Sequence, residues 1–235
     1  MLQSLLNGSL SKLDLITILL RVPCILIALT VHEISHGYAA YKLGDPTAKA
    51  LGRLDLNPLK HLDPFGTLCL LLFGFGWAKP VPINPLHFKR MKRDTAITAA
   101  AGPLSNFLLG FFGALLSRLI AVLSGSDFWS ILIRVSLFSD VVFTDILFLF
   151  FYIFSLLNFG LALFNLIPIP PLDGSRILFA FLPTNAYFAV MKYERFIMIG
   201  MLVLLWSGLV DVPLGNAIDF LYSLGYNVFY LFPAA

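Results

Sequence analysis

The sequence has little charge for its length. Charged side chains make up 12% of the 235 residues, whereas 59% of the residues are hydrophobic. A soluble domain typically has about 25% charged and about 45–50% apolar residues. The shortage of charge therefore excludes an ordinary soluble protein and predicts a membrane protein. We expect one domain over residues 1–235, with a core at about 15–210 and an apolar C-terminal tail at 211–235.

Cysteines and basic clusters of the nucleic-acid-binding type are also scarce. The two cysteines, Cys24 and Cys69, lie in apolar stretches with a spacing that fits neither a zinc knuckle nor a disulfide framework, so we expect buried thiols. No basic stripe interleaved with polar residues is present, which argues against a nucleic-acid partner. The N-terminus lacks a basic run and a small-residue cleavage site, so no cleavable signal peptide is expected.

Long uncharged runs are the main feature of the chain. A spanning helix needs about 20 mostly apolar residues, and residues 95–117 and 146–172 reach this length without a charge. Residues 15–43 also reach it although they carry ionisable groups, and 196–210 form a shorter run. The Gly-rich stretch 65–78 is too short to span and suits a re-entrant or interfacial segment. We predict an all-α polytopic membrane protein with four to six transmembrane helices and a short re-entrant β-hairpin or loop.

Basic residues are concentrated on one side of the predicted spans. Nine lysines and arginines fall between residues 42 and 93, but only two fall between 118 and 145. The positive-inside rule therefore predicts that 42–93 is cytoplasmic and that the N-terminus lies outside. We expect a multi-pass protein of a cell membrane, in which the first span ends, like the third, in the cytoplasmic leaflet.

An H-E-x-x-H pattern at residues 32–36 lies near the cytoplasmic end of the first span. On a helix, residues i and i+4 share one face about 6 Å apart, so His32 and His36 can bind one metal ion. Glu33 flanks that ion and can take a proton from a water molecule there. The alternative is a polar patch that faces a partner helix, but ionisable groups inside a membrane are costly and by default functional.

A catalytic zinc ion needs a third protein ligand and one open position. The two other histidines, His61 and His87, lie in the basic stretch and are expected to be loop or surface residues. Asp173 instead follows prolines in NLIPIPPLDGSR, residues 165–176, where helix is prevented and Gly174 permits a turn. Broken backbone at membrane depth is tolerated mainly where it lines a cavity, which favours a site over an ordinary Pro-Gly turn.

These motifs resemble the site-2 protease family of intramembrane zinc metalloproteases. The resemblance rests on HEISH at 32–36, AGPLSN at 101–106 and NLIPIPPLDG at 165–174. Two further stretches, GDPTAKALGRLDLNPLKHLDPFGT at 44–67 and GWAKPVPINP at 76–85, are similar to the compact prokaryotic branch without PDZ or CBS domains. Within these 235 residues we expect neither domain.

The resemblance implies a metal centre and a reaction. It implies one zinc ion per chain bound by His32, His36 and Asp173, with Glu33 as the catalytic acid/base. It also implies cleavage of single-pass membrane proteins within or beside their spans. Lipid and transmembrane protein substrates are therefore the expected partners. The alternative is a membrane metal-ion transporter, which would more often distribute ligands along a path and show an internal repeat.

Two asparagines are candidates for contact with the substrate. Asn106 corresponds to the family's asparagine in the second span, and Asn165 precedes the proline-rich break. Either side chain could donate a hydrogen bond to the developing oxyanion or orient the substrate. The alternative for both is a hydrogen bond that joins two helices.

The stretch 71–79 is a candidate for holding an unwound substrate. A transmembrane helix must be unwound locally before a protease can reach its amides, and the edge of a sheet offers backbone partners to an unwound segment. We expect a short re-entrant hairpin at 71–79 that acts as a clamp. Its candidate residues are Phe73, Gly74, Phe75, Gly76 and Trp77. The alternative for the stretch is an anchor at the membrane surface.

Overall fold

The computed structural model describes residues 12–73, 77–137, 140–183 and 192–228. Its helices are α1 (Lys12–Lys42), α2 (Thr47–Ala50), α3 (Pro64–Phe73), α4 (Met91–Leu123), α5 (Phe128–Leu137), α6 (Phe143–Asn165), α7 (Asp173–Phe179), α8 (Glu194–Trp206) and α9 (Asp211–Tyr226). In these described parts of the chain, β-pairing is limited to one isolated antiparallel bridge between Leu62 and Ala78.

Three of the described helices are long and apolar enough to cross a membrane. They are α4, α6 and the part of α1 from Asp14 to Lys42. Helices α8 and α9 have 13 and 16 residues, which is shorter than the roughly 20 that a single span requires. The prediction of an all-α, multi-pass membrane protein is confirmed, and the described residues supply three of its spans.

Helix α4 lies at the centre of the bundle and contacts α1, α6, α7 and α9. Small residues on α4 allow the close approach, since a Cβ atom added at Gly110 would lie 2.6 Å from the ring of Phe159. Ser155 of α6 donates a hydrogen bond to the carbonyl of Gly110 across the same contact, at 2.7 Å. The interface between α4 and α6 is therefore fixed by shape and by a buried hydrogen bond.

The C-terminal stretch is joined to this bundle through α9. Tyr222 and Tyr226 are buried against the ring of Phe128 and against α6. The hydroxyl of Tyr222 also makes a 3.0 Å hydrogen bond with the hydroxyl of Ser117 on α4. Residues 211–226, predicted as part of an apolar tail, thus pack on the core as a helix.

A buried carboxylate joins the two ends of the loop region between α1 and α4. Asp45 accepts hydrogen bonds from the backbone N–H groups of Thr47 (3.0 Å) and Asn84 (2.7 Å), from the hydroxyl of Thr47 and from Nδ1 of His87 (2.8 Å). Burial raises the pKa of Asp45, but hydrogen bonds from Thr47, His87 and Asn84 outweigh it and lower the pKa to about 2.

His61 lies inside this loop region rather than on its surface. Its side chain is fully buried, Nε2 donates to the carbonyl of Asp55 at 2.7 Å, and the His61 carbonyl accepts from the N–H of Lys79 at 2.9 Å. The prediction of a loop residue rather than a ligand agrees with this position. The surrounding loop residues enclose the His61 ring. This burial depends on contacts between residues distant in the chain, so the local sequence does not predict it.

The predicted hairpin at 71–79 is not confirmed. Residues 71–73 are the last turn of α3, residues 74–76 lie outside the described residues, and only Ala78 takes part in a bridge. Helix α3 begins before this stretch, at Pro64, and continues into it. Its start is stabilised because Oδ1 of Asp63 accepts a hydrogen bond from the N–H of Gly66. The apolar residues after it then continue the helix.

We predict that Asp45→Asn lowers the melting temperature at pH 7, because its amide cannot accept all the hydrogen bonds that now end on the carboxylate. The folded-state pKa is lower than the unfolded value of about 3.9. The stabilisation is therefore complete above about pH 4 and is lost as the pH falls towards 2. Thermal unfolding of the purified protein between these pH values measures it. Asp55→Asn is the control because 42% of the Asp55 side chain is exposed, whereas 0% of the Asp45 side chain is; equal losses in both variants would contradict the prediction.

Candidate metal centre

Two helices from distant parts of the chain bring the three candidate ligands together. His32 and His36 lie one turn apart on α1, which continues without a break to Lys42. Asp173 is the first residue of α7, and the turns at 166–172 that precede it carry the prolines that end α6. The break in the third apolar run therefore lets a carboxylate lie beside the histidines of α1.

The three candidate ligand atoms form a small triangle. Nε2 of His32 and Nε2 of His36 are 3.0 Å apart, and each lies 3.1 Å from Oδ2 of Asp173. Nitrogen and oxygen ligands lie about 2.0–2.2 Å from zinc, so two ligands of one tetrahedral ion are about 3.3 Å apart. The triangle has the size of three zinc ligands, and three protein ligands are the number that a catalytic zinc site uses.

The hydrogen bonds of the other ring nitrogens determine what the triangle can bind. Nδ1 of His36 donates to the carbonyl oxygen of Thr98 at 2.7 Å, and Nδ1 of His32 donates to Oδ1 of Asn106 at 2.5 Å. In a neutral imidazole, Nε2 then carries a lone pair and no proton. Two lone pairs and a carboxylate oxygen then face one another, an arrangement that a bound cation stabilises and that suits zinc.

Helix α4 approaches these rings so closely that only glycine fits. A Cβ atom added at Gly102 would lie 2.4 Å from Nε2 of His36 and 2.7 Å from Cε1 of His32. The space beside the coordinating nitrogens is therefore open only because residue 102 has no side chain. The run of small residues at 99–102 is the sequence signal for this approach.

Glu33 is held at the same site by a loop. Its side chain is buried, and Oε2 accepts a 2.7 Å hydrogen bond from the backbone N–H of Val81. Val81 lies between Pro80 and Pro82, which lack an N–H, so it is the one donor of these three residues. The contact fixes one carboxylate oxygen of Glu33 and is not recognisable from the sequence.

A cavity of about 530 Å³ opens onto Glu33 and the three candidate ligands. Its walls are mainly apolar and come from α1, α6, α8 and the segment at 77–83. They include Leu29, Leu161, Phe164, Met198, Met201 and Leu205. The cavity is large enough for several side chains of a peptide and presents them with an apolar surface next to charged groups.

The two predicted substrate contacts have different surroundings. The amide nitrogen of Asn106 donates to the carbonyl of Ala28 (3.3 Å) and to Oδ1 of Asn158 (2.7 Å), so neither N–H is left for an oxyanion. This geometry favours a helix-joining role for Asn106 over the predicted one. Asn165 lines the cavity, and its amide donates to the carbonyl of Leu161, which leaves its second N–H for the predicted contact.

The predicted clamp residues fall partly outside the described structure. Phe73 ends α3, and Gly74, Phe75 and Gly76 lie outside the described residues. Trp77 lines the cavity and is about half exposed. Of this group, Trp77 is therefore the residue that the structure places next to the candidate site.

We predict that Gly102→Ala reduces bound zinc well below the wild-type amount, because the added methyl group displaces the His36 ring. Elemental analysis after purification in the presence of a weak chelator measures zinc per chain. Gly200→Ala is the matched control, since no atom lies within 4 Å of a Cβ there. Equal zinc content in the two variants would show that the close approach of α4 does not shape the site.

Comparison with known proteins agrees with this geometry. Residues 21–207 match the sequence model of peptidase family M50. YwhC of Bacillus subtilis (strain 168) is 41% identical over 192 residues, which cover 82% of this chain and 80% of YwhC. Rip2 of Mycolicibacterium smegmatis is 30% identical over 154 residues, 63% of this chain and 52% of Rip2. Rip2 of Mycobacterium tuberculosis (H37Rv) is 27% identical over 184 residues, 76% of this chain and 63% of Rip2.

These relatives are all provisionally named zinc metalloproteases. No solved structure gives a significant match to the chain. The region that matches the family includes the H-E-x-x-H residues 32–36, Gly102 and Asp173, so the convergent site lies within it. The chain therefore belongs to peptidase family M50, the site-2 protease family that its motifs resemble.

Proposed function

We propose that the chain is a zinc endopeptidase that hydrolyses peptide bonds within or beside the transmembrane segments of membrane proteins. His32, His36 and Asp173 bind one zinc ion, and Glu33 is the general acid/base. The observation that carries the proposal is the meeting of three atoms that can bind a metal ion next to a buried glutamate in one cavity. The names of the relatives support zinc as the metal.

The metal and Glu33 have separate roles in the proposed reaction. His32, His36 and Asp173 would hold the zinc ion, which would supply a Lewis acid that polarises a carbonyl group and lowers the pKa of water towards about 7. Glu33 is fixed through one carboxylate oxygen by the Val81 N–H and can accept a proton from the attacking water on the other. It then gives that proton to the departing amine, so the glutamate returns to its starting charge when the peptide bond has broken.

The cavity supports a substrate in extended form. Its apolar walls suit the side chains of a transmembrane segment, whereas an intact helix would hide the amide groups. Asn165 and Trp77 line this cavity and are the proposed substrate contacts. Transmembrane proteins are therefore the proposed substrates, and the bilayer supplies them laterally.

We further propose that the site lies in the cytoplasmic leaflet of the cell membrane, with the N-terminus outside. His36 precedes Lys42 by six residues, about 9 Å along the helix axis. The basic stretch 42–93 begins there, and the positive-inside rule favours the cytoplasm for it. Residues 1–235 are proposed to act as one unit, since α9 packs against the helices that carry the site.

A metal-ion transporter finds no support in these observations. The ligands gather at one point, and the comparisons return proteases. Glu33, next to the first ligand, has a use in hydrolysis and none in transport.

We expect purified protein to contain about one equivalent of zinc, and His32→Ala/His36→Ala to contain almost none, because two of three ligands are lost. Inductively coupled plasma mass spectrometry provides the measurement. His87→Ala is the control, since His87 pairs with Asp45 and lies outside the cavity lining. Tightly held, near-stoichiometric zinc in the double variant would refute the assignment of the ligands.

Glu33→Gln should keep the zinc and lose about 10²–10⁴-fold in cleavage rate, because glutamine has a similar shape but cannot accept the proton. Co-expression with candidate membrane substrates, followed by quantification of the fragments, tests this. The same carboxylate-to-amide change at the exposed Asp219 of α9 serves as the control. Cleavage by Glu33→Gln at the wild-type rate would exclude the proposed role of Glu33.

A further inference from the structure

Buried amide groups connect the backbone of α6 to one of the zinc ligands. Oδ1 of Asn158 on α6 lies 2.7 Å from Nδ2 of Asn106 on α4, and Oδ1 of Asn106 lies 2.5 Å from Nδ1 of His32 on α1. Both asparagines are fully buried, with 0% of their surface exposed. Such burial within an apolar bundle is costly unless the polar atoms are paired, and here each of these contacts pairs a donor with an acceptor.

The direction of every hydrogen bond in this connection is fixed. Nδ2 of Asn158 faces the carbonyl oxygen of Phe154 at 2.8 Å, and a carbonyl can only accept. Oδ1 of Asn158 must therefore face Asn106, where it meets a donor. Nδ2 of Asn106 faces a second carbonyl, that of Ala28, at 3.3 Å. Oδ1 of Asn106 then faces His32, and the ring nitrogen opposite it must carry the proton.

The opposite orientation of Asn106 would block the metal site. A rotated amide would place its oxygen against the oxygens of Asn158 and Ala28, and its nitrogen against Nδ1 of His32. That ring nitrogen would then have to accept, which moves the proton of a neutral His32 ring to Nε2. Nε2 is the atom that lies 3.0 Å from His36 and 3.1 Å from Asp173, and a protonated nitrogen cannot bind a metal ion.

We propose that Asn158 is a positioning residue of the metal centre. Through Asn106 it holds the His32 ring in the tautomer that presents an unprotonated Nε2 to zinc. Asn158 touches neither the proposed metal nor the substrate cavity. The inference rests on the proposed zinc site and assigns the Asn106 amide to the support of a ligand. In the sequence, the signal for it is a lone asparagine inside an apolar run.

A purely structural role would have a different consequence. Buried asparagines can join membrane helices by hydrogen bonds alone. Their loss would then lower stability and leave the affinity for zinc unchanged in the molecules that remain folded. Ser155 supplies the matched control for that role: it lies almost one turn before Asn158 on α6, is fully buried, and bonds to Gly110 of α4 without any link to His32.

The experiment compares Asn158→Leu, Asn158→Asp and Ser155→Ala with the wild type. Zinc affinity is measured on purified folded protein by competition with a chelator, and the visible spectrum of the cobalt(II)-substituted protein reports on ligand geometry. We expect Asn158→Leu to weaken zinc binding about 10–100-fold and to change the cobalt spectrum. Asn158→Asp, as the neutral acid at this fully buried position, keeps an oxygen that accepts from Asn106 and an O–H that donates to the Phe154 carbonyl, and should bind zinc almost as the wild type does. Ser155→Ala should lower the melting temperature only.

Each outcome bears on the inference. Wild-type zinc affinity and cobalt spectrum in Asn158→Leu would overturn it, and so would equal weakening in Ser155→Ala or in Asn158→Asp. Asn158→Ala replaces the leucine variant in the same measurements if that variant does not fold, because it removes the same acceptor with a smaller side chain. A wild-type chain without zinc affinity would contradict the proposed function itself, which separates the two failures.

Discussion

Two imidazole nitrogens and a carboxylate oxygen meet in the interior of a bundle of apolar helices, and all three are acceptors when the neutral rings carry their protons on Nδ1. Acceptors that face one another are unfavourable without a cation, and least favourable where water is scarce. The requirement for a cation explains the surroundings of the triangle. Carbonyl and amide oxygens hold the other ring nitrogens, and a glycine on α4 leaves the space beside the ligands empty.

The elements around this centre position the groups that the proposed hydrolysis needs. The prolines before α7 break the third span and release Asp173 towards α1. The loop held together by Asp45 brings the segment that includes Val81 to Glu33, so a backbone amide orients the proposed base. Helices α6 and α8 form apolar walls of the cavity that contains these groups. An extended apolar segment in the cavity would therefore lie next to Glu33 and Asp173.

The membrane also accounts for the composition of the bundle. The spans face lipid with apolar side chains, so helix association depends on close contact and a few buried hydrogen bonds rather than on the hydrophobic effect alone. Small residues of α4 provide the contact, while Ser155, Asn158 and Asn106 provide the hydrogen bonds. The same polar side chains that join helices are therefore available to orient His32, the proposed metal ligand, and the two uses share one network.

The sequence by itself determined the membrane class, the three long helical spans and the motif residues, because apolar run length and the i, i+4 histidine spacing are local properties. It could also mark Asp173, since prolines break a helix wherever they occur. Tertiary structure decided three other contacts: Asp173 with His32, Asn158 with Asn106, and the hydrogen bond from the Val81 N–H to Glu33. They join residues separated by 48 to 141 positions, and only packing fixes such distances. The predicted hairpin failed at residues 71–73 because the helix begun at Pro64 extends through them.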